Sequence, residues 1–373
     1  MTRILVIAGE ASGDLHGAGV VRELKRREPS VEIFGVGGDR MIAAGMDAIF
    51  HVRELAVMGF FEVVKHLPVL RAVERTLMAV VRGKKPDVVL LIDYPGFNLR
   101  FARKVRGTGT KIAYYISPQV WAWNPGRVRK MKGLIDRMLV ILPFEERIYT
   151  EAGIDAAFVG HPLLEELTEP QERGAFCKRY DLDRDRPILG ILPGSRKQEI
   201  ERIFPAMLGA ARVLASRHGI QPVVGVSSLL EFEFMKGFIR QGSPVRLLQN
   251  ATYDIMKNSG VALVTSGTAT LETGWFGTPM VVVYKTSWPT YLIGRMLVRL
   301  KNIGLVNIVA GARVVPELIQ GGVNPARIAA EAEKFILDPG LHRKTASDLG
   351  IIRELLGTPG ASGRVAAALL GMA

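Results

Sequence analysis

One cysteine, Cys177, is present among 373 residues, which excludes an intrachain disulfide and any cysteine-rich zinc site. A reducing cytoplasm is the compartment this usage implies. Long apolar runs are missing as well. The N-terminal run from Ile4 to Ala8 is cut off by Glu10 and Asp14, too short for a signal peptide, and no stretch approaches the ~18 apolar residues a membrane span requires. The chain is therefore expected to be soluble or peripheral. Aromatic residues make up only 7% and are not interleaved with Arg and Lys, so no platform for stacking bases is visible. RNP, helix-turn-helix and zinc-finger patterns are absent too. Acidic residues are the last shortage: 36 Asp and Glu face 49 Lys and Arg, a formal charge of +13. Such an excess attracts phosphorylated substrates, anionic lipid or nucleic acid. With no nucleic-acid motif present, nucleic acid is the weakest of the three.

What the chain does have is alternation. Strands read at Arg3–Ala8, Val31–Val36, Asp87–Ile92, Lys111–Ile116, Arg137–Leu142 and Ala156–Val159, with helical stretches between most of them. After a charged, irregular stretch the pattern restarts at Pro187–Leu192, Gln221–Val226, Val245–Leu248, Val261–Thr265 and Pro279–Val283. The fold class expected is α/β, two Rossmann-like doubly wound domains facing a central cleft. The boundaries expected are 1–165, 166–345 and a set of C-terminal helices at 346–373 that cross back onto the first domain.

The dinucleotide fingerprint fails at both places where it is due. Ala8-Gly-Glu-Ala-Ser-Gly-Asp14 lacks the spacing, and Gly35-Val-Gly-Gly-Asp-Arg40 has Arg40 where the third glycine belongs. A different anion site stands out at Leu192-Pro-Gly-Ser-Arg196, where a buried strand ends. Gly194 suits a turn with positive φ, Ser195 offers a hydroxyl, Arg196 a bidentate fork, and the helix opening near Lys197 adds free N–H groups. Alone, this is equally a plain helix start. With ligands expected at the strand ends of two domains, a nucleotide-sugar transferase fits the layout.

Nine ordered motifs narrow the choice: Gly9-Glu-Ala-Ser-Gly-Asp-Leu-His-Gly-Ala18, Gly35-Val-Gly-Gly38 with Met41, Ile92-Asp-Tyr-Pro-Gly-Phe-Asn98, Ser117-Pro-Gln-Val-Trp-Ala-Trp123, Leu142-Pro-Phe-Glu145, Val159-Gly-His-Pro-Leu163, Leu192-Pro-Gly-Ser-Arg196, Ser266-Gly-Thr-Ala-Thr-Leu-Glu272 and Pro316-Glu-Leu-Ile-Gln320. In these the chain resembles the lipid-A-disaccharide synthase family. The resemblance implies a GT-B-type inverting glycosyltransferase, without metal or other cofactor. It would join UDP-2,3-diacylglucosamine to 2,3-diacylglucosamine 1-phosphate, giving a β-1,6-linked disaccharide and UDP. It further implies work at the cytoplasmic face of the inner membrane and is compatible with a homodimer. Two positions depart from the family pattern: Gly96, where many members carry Asp, and Leu305-Val-Asn307, where many read Leu-Pro-Asn.

Such chemistry needs a group to take the proton of the acceptor hydroxyl and groups to hold the charge developing on UDP. Asp93 closes the apolar strand Asp87-Val-Val-Leu-Leu-Ile92, where desolvation raises a carboxyl toward a useful pKa. Capping the turn before Phe97 and Asn98 is its other reading, and its place at the strand end favours catalysis. Glu10, Asp14 and His16, in the first βα connection, are the rival bases or acceptor ligands, and for His16 a capping role stands equally. His161 reads as structural. On the donor side Gly194, Ser195 and Arg196 would hold the diphosphate, joined by the helix start at Thr268, Ala269 and Thr270. Glu272 is a ribose-hydroxyl acceptor by the resemblance and a dipole-complementing helix residue without it. Asn307 and Gln320 are donor-site candidates by the resemblance alone.

Acylated substrates call for an apolar surface. The segment Leu55 to Leu67 contains Val57, Met58, Phe60 and Phe61 beside Lys65, Arg71 and Arg75, and Trp288 to Leu297 makes a second amphipathic candidate. Such stripes are more often core, and the basic flanks favour lipid contact for the first. Two other classes stay open. A nucleotide-sugar epimerase shares the donor site but needs no apolar stripe, and a non-catalytic glycolipid-binding protein needs the stripe but neither Asp93 nor Arg196.

Overall fold

Continuous apolar runs such as Val88-Val-Leu-Leu-Ile92, buried at every position, become parallel strands covered on both faces. The computed structural model describes residues 1–55, 60–119, 121, 126–227, 230–297 and 301–373, and at 60–67, 127, 293–294 and 296–297 the description covers the backbone alone. The first sheet holds β1 (Arg3–Ala8), β2 (Glu32–Gly37), β3 (Asp47–His51), β4 (Val88–Ile92), β5 (Lys111–Tyr115), β6 (Arg137–Val140) and β7 (Ala156–Phe158). Its order is β3-β2-β1-β4-β5-β6-β7. The second holds β8 (Ile188–Leu192), β9 (Gln221–Val226), β10 (Arg246–Gln249), β11 (Val261–Thr265), β12 (Met280–Tyr284) and β13 (Glu317–Ile319), in the order β10-β9-β8-β11-β12-β13. Each is therefore doubly wound. The order reverses between β1 and β4 and between β8 and β11, the pairs whose ends form the ligand crevice in open parallel sheets.

Two strands go beyond the sequence expectation. In β3 every residue is half-buried or exposed, and Asp47-Ala-Ile-Phe-His51 holds only three consecutive apolar residues, too short a run to stand out as a strand. The three-residue β13 is likewise only partly buried. Both lie at sheet edges, where one side of the strand needs no partner.

The chain divides into one unit of Met1–Glu166 with Leu356–Ala373 and another of Leu167–Leu355. The return therefore starts at Leu356, and residues 346–355 stay with the second unit rather than crossing back. The last helix, Ala361–Met372, packs on the helix Ala11–Arg27. Ser362 donates through N and Oγ to Glu165, and Arg364 Nε donates to the carbonyl of Val159 at 2.7 Å. Val365, Ala366 and Leu369 complete the first core from this helix, which removes their apolar surface from water. Among the described residues no helix is long and apolar enough to cross a membrane.

Candidate functional site

At the end of β4 the backbone turns through two left-handed residues, Asp93 and Tyr94, both with φ of 46°. Non-glycine residues rarely adopt this conformation, and here neighbours hold it. Asp93 N donates to the Tyr115 carbonyl at 2.9 Å, and its own carbonyl accepts from Asn98 Nδ2 at 2.8 Å and Tyr114 Oη at 2.5 Å. The Tyr94 ring lies where a Cβ on Gly9 would come within 2.2 Å, so only glycine fits at the end of β1. Tyr94, not Asp93, is the N-cap of the helix Pro95–Val105 and makes no side-chain capping bond. With its backbone fixed, the Asp93 carboxyl is largely buried. Burial first, and the nearby Glu10 charge second, push its pKa up to about 6, against a lowering by the Tyr94 N–H and by His16. A carboxylate with that value is ionised at neutral pH and still basic enough to accept a proton. Gly96 faces open space, so a side chain there meets no obstacle.

The rivals for the base separate by burial and partner. Glu10 is the exposed N-cap of the helix Ala11–Arg27, and Asp14 and His16 lie on that helix rather than in a loop. Asp14 is a correction to its expected ligand role. Buried, it accepts from Gly38 N at 2.7 Å, Met41 N at 3.0 Å and Arg40 N at 3.2 Å, so it caps the helix Asp39–Ala43. His16 Nδ1 stands 2.9 Å from Glu166 Oε1. His161 is buried, accepts from Leu163 N through Nδ1, and burial with the nearby His16 pushes its pKa down to about 3. It is a neutral structural imidazole.

In the second sheet, β8 and β11 run side by side with Leu192 opposite Val264, which brings the turns that follow them together. Gly194, with φ of 94°, leads from β8 to the helix Lys197–His218, and a Cβ there would sit 2.9 Å from Thr265 Cγ2. Arg196 is the N-cap residue of that helix, and its side chain, 71% exposed, pairs with Glu199 Oε1 at 2.9 Å. After β11, Gly267 has φ of 149° and open space above it, and Thr268 begins the helix Thr268–Trp275. Two helix N-termini and an exposed cation thus share one edge, a setting suited to a diphosphate. Within that helix Thr270 Oγ1 donates to the Gly267 carbonyl and accepts from Val306 N, so it ties the turn to its neighbour. Glu272 lies beyond the first turn and accepts from Tyr253 Oη at 3.2 Å.

Asn307 and Gln320 turn out to be braces. Asn307 is fully buried: Nδ2 donates to the Val315 carbonyl and to Glu317 Oε1, while Oδ1 accepts from Val314 N and Val315 N. Those four bonds use the whole capacity of an amide, which leaves none for a nucleotide. Gln320 grips the backbone of Thr286, accepting from its N at 2.7 Å and donating to its carbonyl at 3.1 Å. Glu317 completes the brace by accepting from Ile303 N and Gly304 N, both at 2.9 Å. Its position inside Pro316-Glu-Leu-Ile-Gln320 was the only sequence signal for it, and the same holds for Glu145 and Tyr94 in their motifs.

Val57 and Met58 lie outside the described residues, and of Phe60 and Phe61 only the backbone is described, inside the helix Phe60–Lys84. On the helix Trp288–Leu297, Trp288 is 63% and Leu292 54% exposed, and Arg295 is exposed beside them. Among the described residues no group of three or more His, Cys, Asp or Glu is placed to share a metal ion.

The family model for lipid-A-disaccharide synthetase matches residues 4–356. A lipid-A-disaccharide synthase of Syntrophus aciditrophicus (strain SB) is 46% identical, over 97% of this chain and 96% of that relative. Among solved structures, the calicheamicin glycosyltransferase CalG4 superposes with a TM-score of 0.65 at 18% identity, covering 100% of this chain and 98% of its own. A UDP-GlcNAc 2-epimerase from Neisseria meningitidis, bound to UDP-GlcNAc, gives a TM-score of 0.66 at 14% identity, covering 99% and 100%. At such identities the two structures speak for the fold, which transferases and epimerases share.

Proposed function

The chain belongs to the lipid-A-disaccharide synthetase family and is a lipid A disaccharide-forming glycosyltransferase, and on that premise we propose how its residues divide the reaction. The donor is UDP-2,3-diacylglucosamine and the acceptor 2,3-diacylglucosamine 1-phosphate. Asp93 accepts the proton of the acceptor 6-hydroxyl as its oxygen bonds to C1 of the donor. The bond from C1 to the diphosphate breaks with inversion, and UDP carries away the electron pair. Gly194, Ser195, Arg196 and the helix start at Thr268 and Ala269 hold the charge that develops there. Glu272 takes the ribose hydroxyls, sharing its carboxylate with Tyr253. Thr270, Asn307 and Gln320 keep these loops in place.

One observation carries the assignment of the base: a largely buried carboxyl at the end of β4, its pKa pushed up to about 6. Incubating the purified protein with both acylated sugars tests the reading. UDP release that depends on the acceptor supports transfer. Release or interconversion of the donor alone supports an epimerase, and binding without turnover a glycolipid carrier.

Long acyl chains tie both substrates to a bilayer, each buried methylene contributing about 0.8 kcal/mol. The enzyme therefore works as a peripheral protein on the cytoplasmic face of the inner membrane, docking through Val57, Met58, Phe60 and Phe61 with basic residues around them. Replacing these four by Ser is expected to release the protein from anionic vesicles and leave UDP affinity unchanged. Cosedimentation at the wild-type level by a folded quadruple variant overturns docking through this segment.

A further inference from the structure

Glu145 is 1% exposed, near the start of the helix Pro143–Glu151 that follows β6. As the third residue of that helix it accepts from Leu142 N through Oε2 at 3.2 Å, an ordinary cap. Its other oxygen does something a cap does not require. Oε1 accepts from Ser117 Oγ at 2.8 Å and from Trp121 Nε1 at 2.9 Å, side chains brought from the segment after β5. The same helix holds that segment twice more. Tyr149 Oη donates to the Pro118 carbonyl at 3.0 Å, and the Trp121 ring stands edge-on to Phe144 at 5.0 Å between centroids.

The segment so held begins with a strained residue. Ile116 has φ of 62°, a left-handed conformation that a β-branched side chain resists unless its surroundings impose it. It follows directly on the strand that fixes Asp93, since Tyr114 and Tyr115 bond the Asp93 backbone from β5. A buried carboxylate and a strained isoleucine both cost stability, and both serve to hold one conformation at the edge where Asp93 lies. Of the described residues of the turn, Gln119 is exposed while Ser117 and Pro118 are buried.

We propose that Glu145 is a positioning residue for the transfer: by locking Ser117 and Trp121 it sets the turn after β5 as a fixed wall of the acceptor site. The inference rests on the reading that the acceptor binds over Asp93. It assigns to Glu145 no contact with substrate. Burial pushes the Glu145 carboxyl up, while the Trp121, Ser117 and Leu142 donors pull it down; with two acceptor oxygens it meets all three donors at once, whereas a glutamine offers one acceptor oxygen for them.

The test uses the full chain with both acylated sugars, together with UDP affinity and thermal unfolding. Ser117→Ala and Trp121→Phe leave the carboxylate and the helix cap in place and remove one donor each. Each is expected to lower kcat, or raise the acceptor KM, by roughly three- to tenfold with UDP affinity unchanged. Glu145→Ala is expected to lose more than either, and Glu145→Gln to recover part of that loss. In the Glu145→Ala background the two donor substitutions are expected to add little further. Wild-type kcat and acceptor KM in both Ser117→Ala and Trp121→Phe overturn the proposal and leave Glu145 as a cap. If Glu145→Ala fails to fold, those two variants still decide. Asp93→Ala run alongside separates the premises: full turnover there overturns the acceptor-site reading itself, whereas loss there with none in the donor variants overturns only the role of Glu145.

Discussion

At the C-terminal edge of the first sheet three ionisable groups lie under cover while Glu10 is exposed: the Asp93 carboxyl is largely buried, His161 is held neutral, and Glu145 is enclosed by three donors. At the same edge of the second sheet the Arg196 side chain is 71% exposed. Two sheets of matching topology thus present opposite electrostatic settings. Desolvation perturbs a pKa, which proton transfer requires. Helix N–H groups and an exposed guanidinium suit an anion that must enter and leave. Under the proposed function, proton chemistry falls to the first unit and charge stabilisation to the second.

The hardest blow to that division would come from the Asp93 carboxyl. Asp93→Ala is expected to lower kcat by about 10²–10⁴, the usual contribution of a general base, while UDP affinity stays as in the wild type. In the wild type, kcat is expected to rise with pH through about 6 and level off above it, because the base works deprotonated. A measured pH–rate profile that is flat from about 5 to 8, the range spanning that pKa, would overturn the assignment of the base to Asp93.

A braced second unit predicts a different kind of loss. Asn307→Ala strips partners from Val314 N, Val315 N, the Val315 carbonyl and Glu317. Stability measured by urea unfolding is expected to fall by about 2–4 kcal/mol, since buried groups are left unpaired. UDP affinity of the folded fraction should change little. The reverse outcome, unchanged stability with UDP binding weakened more than about tenfold, would return Asn307 to the donor site.

How far these roles were legible follows from what each depends on. The central strands show in the sequence because burial on both faces demands unbroken apolar runs, while β3 and β13 escape because an edge strand needs none. That Asp93 and Gly194 fall just past strand ends was legible, because strand position is a topological property. Asp14, Asn307 and Gln320 were not. A polar residue beside a ligand edge and one bonded to a neighbouring loop look alike until the partner is known, and those partners, Gly38, Val315 and Thr286, lie elsewhere in the sequence. Glu145 was hidden for the same reason, its side-chain donors Ser117 and Trp121 coming from the separate motif after β5.

Arg196 carries the smallest expected effect and the finest test of the contrast. In a buried cleft a guanidinium bound to a diphosphate would be worth several kcal/mol, but here the side chain is 71% exposed and paired with Glu199 at 2.9 Å. Solvent screens it, and binding UDP means exchanging the Glu199 partner for phosphate oxygens. Arg196→Ala is therefore expected to weaken UDP binding by about 1–2 kcal/mol, roughly 5- to 30-fold by calorimetry. Lysine should recover part of it, keeping the charge without the bidentate fork. Raising salt from about 0.05 to 0.5 M should shrink the difference between wild type and alanine variant, because an exposed charge is screened over a shorter length. A loss beyond about 100-fold that persists at high salt would mean that Arg196 binds UDP in a desolvated setting, and the electrostatic contrast between the two edges would then fail on the donor side.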